Sequence, residues 1–197
     1  MNRHITLQTP HGSLHGQLEC PGTPRGLLLI VRSHHTEADI SIATNCFDSG
    51  YATFTMELLT AQEMQFVDAT QNVPRLTTRL IDILDLIRSD GDMQTLTLAI
   101  FTSGDVAPAA IRATAQRDTQ VKALVCHGGL IDRAGAQALD LLVAPLLMLF
   151  DIDDSFGQTA CQRADSHLLG MHEMYLLAPG EDLAQHLTMW LSRHLEH

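Results

Sequence analysis

The stretch Leu98–Ala110, LAIFTSGDVAPAA, decides how the chain is read. An apolar run ends at Phe101, a small polar turn of Thr102, Ser103, Gly104 and Asp105 follows, and an Ala-rich segment begins with Pro108 near its start. Proline is tolerated in the first turn of a helix, where the missing N–H has no intrahelical acceptor. The stretch therefore reads as strand, tight turn, helix. Such a turn is where an open α/β sheet can present a nucleophile, and two residues compete for its apex, Ser103 and Gly104.

The same alternation extends in both directions. LLLIV (Leu27–Val31) is short and continuously apolar, as a strand covered on both faces is. A segment with helical spacing, ADISIATNCFDSG, follows it and stops at Gly50. YATFTMELL is the next strand, and a polar connection from Thr60 to Arg75 leads to the helix LTTRLIDILDLIRSD. Beyond the elbow come VKALVC, PLLMLF and EMYLLA as strands, separated by the loop HGGLIDRAG and the helix GQTACQRADSHLL, and the helix DLAQHLTMWLSRH closes the chain. Ahead of all this, ITLQT and SLHGQLE alternate apolar and polar around PHG, which predicts a hairpin at a sheet edge. The expected fold is α/β: a doubly wound, mostly parallel sheet in a three-layer α/β/α arrangement, with an N-terminal antiparallel hairpin. One domain over residues 1–194 is expected, and Leu195 to His197 read as a tag remnant.

Composition narrows the function classes. Lys and Arg number 12 against 23 Asp and Glu, a formal net charge of −11. A surface of that sign repels phosphate and anionic lipid, so neither nucleic acid nor membrane is an expected partner. Four cysteines, Cys20, Cys46, Cys126 and Cys161, lie far apart with no C-x-x-C pair, which reads as reduced thiols. With no leader-like apolar segment at the start, a cytoplasmic location is expected. The methionines Met56, Met64, Met148, Met174 and Met189 fall at core or near-core spacing.

Ligands of doubly wound sheets sit beyond the carboxyl ends of the strands. The segments to watch are therefore Arg32–Asp39, Glu57–Gln65, Thr102–Asp105, Cys126–Gly129, Asp151–Ser155 and Pro179–Leu183. Taken with GLLLIV, GYATFTMELLT, VCHGGLIDRAG, APLLMLFDIDDS and MYLLAPGEDLAQHLTMWLSRH, the elbow makes the chain resemble the α/β-hydrolase superfamily, in particular small proteins of the dienelactone-hydrolase type. The resemblance implies the α/β-hydrolase fold and a Ser–His–Asp site for esters or lactones, with an oxyanion hole of backbone N–H groups.

Against that pattern the motifs are degenerate. Ungapped from Leu98, the nucleophile position falls on Gly104, and a one-residue slip makes Ser103 the candidate, flanked at two positions either side by Phe101 and Asp105 where small residues are wanted. The acid position falls on Asp154, with Asp151 and Asp153 as neighbours, and Asp154 reads equally as a cap for the next helix. The base position falls near Leu183, and the nearest imidazole is His186, at a place expected to be helical. Arg32 and Ser33 stand where the family has a His-Gly pair, and His34 follows. Arg32 offers a planar fork for a carboxylate or phosphate. His127 and Cys126 end a strand at the rim, Cys126 reading as a buried apolar residue. His34 with Asp39 or Glu37 lacks a third ligand at useful spacing, so no metal is expected, and no cofactor either.

Two functions compete. In the favoured one, hydrolysis is impaired or lost and the protein binds through a strand-end pocket bearing Arg32, Ser33, His34, Gly104 and His127, or through its loops. In the alternative, a serine hydrolase uses Ser103, His186 and Asp154. The expected partner is a small-molecule ligand or ester substrate, anionic in the pocket version, and the fold leaves room for a homodimer. A third reading, a nucleotide or flavin binder, fails for want of a Gly-rich phosphate cradle.

Overall fold

The uninterrupted apolar run at Leu27 becomes the middle of a sheet. In the computed structural model, which describes residues 1–34 and 36–195, Leu27–Arg32 is strand β3, and each of its residues from Leu27 to Val31 is fully buried. It pairs in parallel with β4 (Ala52–Glu57) on one side and β5 (Leu98–Ser103) on the other. The strands β6 (Val121–His127), β7 (Leu146–Asp151) and β8 (His172–Leu177) extend the parallel run. The predicted hairpin is β1 (Asn2–Thr9) and β2 (Gly12–Glu19), and β2 attaches antiparallel to β4. The sheet has eight strands in the order β1-β2-β4-β3-β5-β6-β7-β8.

Alternate residues of each strand feed separate cores. Leu27, Leu29, Val31, Leu98, Ile100, Leu124 and Met148 face the helices α2 (Val73–Ser89), α3 (Ala107–Gln116) and α5 (Ser155–Ala164), with the short α4 (Ala136–Asp140) beside them. Leu28, Ile30, Ala99, Phe101, Val125 and Leu149 face α1 (Glu37–Asp48) and α6 (Leu183–Leu195). Strands apolar on both faces and helices apolar on one stripe have no other way to remove that surface from water.

Several expectations are corrected. The helix expected from Leu76 starts at Val73, because Asn72 caps it by accepting from Arg75 N (3.1 Å) and Pro74 fits its first turn. The polar connection before it contains 3₁₀ turns at Glu63–Gln65 and Ala69–Gln71. Leu195, set aside with the tag-like ending, is the buried last residue of α6 and packs on Gly26, while Glu196 and His197 lie outside the described residues. Of the five methionines, Met56 and Met148 are in the core, but Met64, Met174 and Met189 are exposed. No helix among the described residues is long and apolar enough to cross a membrane.

Candidate functional site

The turn after β5 answers the competition between Ser103 and Gly104. Ser103 has extended dihedrals (φ −142°, ψ 159°) and is the last strand residue, with no capping bond from its side chain. Gly104 makes the bend at φ +58°, a left-handed conformation that favours glycine. A Cβ at Gly104 would meet nothing within 4 Å, so the side-chain position at the apex opens on free space. Two neighbours hold the turn. Thr70 Oγ1, from the β4–α2 connection, donates to Asp105 Oδ2 (2.7 Å). Gly129, in the loop after β6, lies directly on the Gly104 carbonyl.

Strand register then assembles a row that spacing along the chain does not reveal. Arg32, Ser103, His127 and Asp151 end β3, β5, β6 and β7, and their parity places all four on the α1/α6 face. Ser103 and His127 are direct register partners, and Val31 and Thr102 pair one residue before Arg32 and Ser103. Arg32 Nη1 donates to Ser103 Oγ, and its Nε forms an ion pair with Asp39. Asp39 is 1 % exposed, and its Oδ2 also accepts from Thr36 N (2.8 Å) and Thr36 Oγ1 (2.9 Å), a capping box that starts α1. The Arg32 guanidinium lies 5.5 Å from the centre of the Phe101 ring. Burial lowers its pKa, opposed by the charge and hydrogen bond of Asp39. At the far end of the row, His127 Nε2 lies 3.4 Å from Asp151 Oδ1.

The three residues expected to form a Ser–His–Asp site are not joined: among the described residues no hydrogen bond connects any two of Ser103, Asp154 and His186. Asp154 caps α5, its Oδ1 accepting from Gly157 N (2.9 Å). His186 is inside α6, where its Nε2 meets Glu181 Oε1 (2.8 Å) and its ring stacks on Tyr175 with centroids 4.2 Å apart. Glu181 also accepts from Ala178 N (2.9 Å) and from Tyr175 OH (2.7 Å). The bond from Ala178 and those from Tyr175 and His186 bring the Glu181 carboxyl down to about 2, and the Tyr175 phenol is pushed up by the same carboxylate. Leu183, at the position where the resemblance expects the base, carries no imidazole and begins α6.

Of the remaining candidates, Ser33 Oγ and His34 Nδ1 are 3.2 Å apart in the loop before α1. The neighbouring His35 lies outside the described residues. Cys126 is fully buried in the first core, and burial pushes its thiol up to about 12, which makes it an apolar core residue and not a nucleophile. All four cysteines are free. Among the described residues, no group of three His, Cys, Asp or Glu is placed to hold a metal.

The anion clamp expected of Arg32 is already engaged by the protein: its fork faces Asp39 and Ser103. Glu57, Asp105, Asp151, Asp153 and Asp154 add carboxylates along the same strand-end edge. Two residues of the site escaped sequence reasoning in their actual roles. Asp39 was weighed only as a possible metal ligand beside His34, and neither as the cap of α1 nor as the partner of Arg32. Asp151 was visible only as a neighbour of the acid position, because its contact with His127 depends on the β6–β7 register.

No family model matches the chain. Two curated proteins of Mycobacterium tuberculosis, from strains CDC 1551 and H37Rv, carry the provisional name phosphoribosyl transferase. Each is 30% identical over 194 residues, covering 91% of this chain and 44% of the relative. The chain thus spans less than half the length of these relatives. Among solved structures, a dienelactone hydrolase from Anabaena variabilis superposes with a TM-score of 0.88 at 22% identity, covering 98% of both chains. A cold-adapted esterase from an Arctic intertidal metagenomic library gives 0.75 at 12% identity, over 98% of this chain and 93% of the other. Est1E from Butyrivibrio proteoclasticus gives 0.75 at 9% identity, over 96% of both. The chain has the α/β-hydrolase fold.

Proposed function

We propose that this protein is a binding protein on the α/β-hydrolase fold, without the ester- or lactone-cleaving chemistry that the fold often carries. The observation that carries this reading is Gly104: the residue at the apex, where a nucleophile is presented, has no side chain, and the space in front of it is open. The ligand is a small molecule with an apolar body, seated at the strand ends. Loops at this edge present large apolar side chains to solvent, with Val67 97% exposed on the β4–α2 connection and Phe156 81% exposed in the first turn of α5. Large apolar side chains exposed on the loops of one edge mark a binding surface. The carboxylates along the edge argue against a pyrophosphate-bearing ligand, and so against transferring to this chain the phosphoribosyl chemistry named for its curated relatives.

The second reading, a serine hydrolase, is favoured by one observation: Ser103 and His127 are register partners and His127 contacts Asp151. In that case Ser103 Oγ attacks the carbonyl, His127 takes its proton, and Asp151 steadies the imidazolium. One experiment separates the two. A fluorophosphonate probe followed by intact-protein mass analysis should leave the wild type unmodified, and p-nitrophenyl acetate turnover should match that of Ser103→Ala. Labelling of Ser103 that disappears in His127→Ala would replace the first reading with the second.

A further inference from the structure

We propose that β8 is a pairing edge through which two copies of this chain form a two-fold dimer, joining their sheets antiparallel into one. The two edges of the sheet differ. β1 alternates exposed and half-buried positions, and its side chains are mostly polar. β8 exposes Glu173, Met174, Tyr175 and Leu176 in succession, Met174 at 48% and Leu176 at 40%.

The backbone of β8 is available for pairing. Leu146 N donates to Met171 O (3.0 Å) and Ile152 N donates to Leu177 O (3.2 Å). In a parallel ladder these two bonds turn Glu173, Tyr175 and Leu177 toward β7, and leave the N–H and C=O of His172, Met174 and Leu176 facing outward. Sheet edges are normally blunted by proline, lysine, a bulge or a covering element. β8 has neither proline nor lysine, and its register with β7 runs unbroken from His172 to Leu177.

Charge selects the occupant. In a chain of net charge −11, most surfaces repel a second copy. The β8 strip carries a single carboxylate, Glu173, and its Oε1 already accepts from Arg193 Nη1 of α6 (2.7 Å). A two-fold centred on Met174 sets Met174 against its own copy, Leu176 against His172, and Tyr175 against Glu173, so no acid faces an acid. The strip is complementary to itself. Apolar area flanks it: Met189 lies on the α6 stripe between His186 and Arg193, which touch Tyr175 and Glu173, and Leu169 and Met171 precede the strand. A stable interface takes about 800 Å² from each partner. The strand pair alone falls short of this, and these exposed neighbours supply the rest.

Light scattering coupled to size exclusion should return twice the 21.6 kDa chain mass at micromolar concentration. Met174→Lys and Leu176→Lys should each halve that mass while leaving the circular dichroism unchanged. Residues facing each other in a hydrogen-bonded antiparallel pair have Cα atoms about 5.5 Å apart, within disulfide range. Met174→Cys should therefore form an intermolecular disulfide on mild oxidation, under conditions where the wild type forms none. A wild type that is monomeric, or a dimer that survives both lysine variants and yields no Met174→Cys cross-link, overturns the proposal. Neither outcome bears on Ser103 labelling, so this inference and the proposed function fail separately.

Discussion

Replacing Glu63 with glutamine is expected to destabilise the protein by about 3–5 kcal/mol, the usual effect of removing one partner from a buried ion pair. Glu63 sits in the 3₁₀ turn after β4 and holds Arg79 of α2 with both oxygens, Oε2 accepting from Nη1 (2.6 Å) and Oε1 from Nη2 (2.7 Å). Thr60 N (3.0 Å) and Thr60 Oγ1 (3.1 Å) donate to Oε2, and Arg75 Nη1 to Oε1 (3.1 Å). Arg79 also donates to the Leu58 carbonyl (2.6 Å), so one guanidinium ties the β4–α2 connection to the helix that follows it. Glutamine keeps the shape but leaves Arg79 charged and buried. In a domain of this size each kcal/mol lowers Tm by about 2–4 °C, and the loss should be visible in a thermal melt. Glu63→Met combined with Arg79→Met should recover much of the loss, because no charge then remains in the interior.

The same pair sets a pH dependence. The Arg79 hydrogen bonds, reinforced by Thr60, lower the Glu63 pKa from 4.5 to about 2. Between these values the unfolded chain binds the proton and the folded chain does not, so stability rises with pH through this window. The contribution is complete above the unfolded value and lost as pH falls toward 2. The Tm difference between wild type and Glu63→Gln should therefore shrink from pH 5 to pH 2. A difference that stays constant over that range rejects the assignment. Glu181 titrates in the same acid window and remains in both proteins, so it cancels from the comparison.

Local pattern was enough for most of the architecture. Continuous apolar runs marked β3 and β7, period-two alternation marked the hairpin, and the stripe Leu80, Ile83, Leu84, Ile87 marked α2. Each of these signals is a property of neighbours in the chain. Gly104 was legible for the same reason: an elbow needs a left-handed residue, and glycine takes that conformation without a steric cost. The row from Arg32 to Asp151 was not legible as a unit. Its members are separated by 71, 24 and 24 positions, and they meet only because the β3–β5 and β5–β6 registers bring Arg32, Ser103 and His127 level and the β6–β7 register sets Asp151 two residues beyond Leu149, the partner of His127, on the same face. A one-residue slip in any of these pairings would turn the side chain to the opposite face. His186 and Asp154 went the other way. Both occupy roughly the right place along the chain, but helix formation around His186 and the cap requirement of α5 give them local partners.

Substituting Gly129 and Gly104 with alanine should give sharply unequal losses, although both residues have positive φ and face the same elbow. Gly129 is at φ +90°, and a Cβ there would overlap the Gly104 carbonyl oxygen and lie 3.1 Å from the Ala107 Cβ. Neither obstacle is a flexible side-chain end: one is backbone and the other is the first atom of a residue in the opening turn of α3. The loop after β6 or the elbow itself has to shift, and backbone strain adds to the overlap, for an expected loss of about 3–5 kcal/mol. Gly104 at φ +58° lies within the left-handed well, and nothing stands within 4 Å of its Cβ position. Gly104→Ala should lose only the conformational term of about 1–2 kcal/mol, and Gly104→Ser should behave similarly, its hydroxyl entering open space. Urea denaturation of the two alanine variants measures the contrast. Equal losses would mean that the loop after β6 does not brace the elbow, and the open apex would then be an incidental feature of a loose turn instead of a bend held in place by its neighbours.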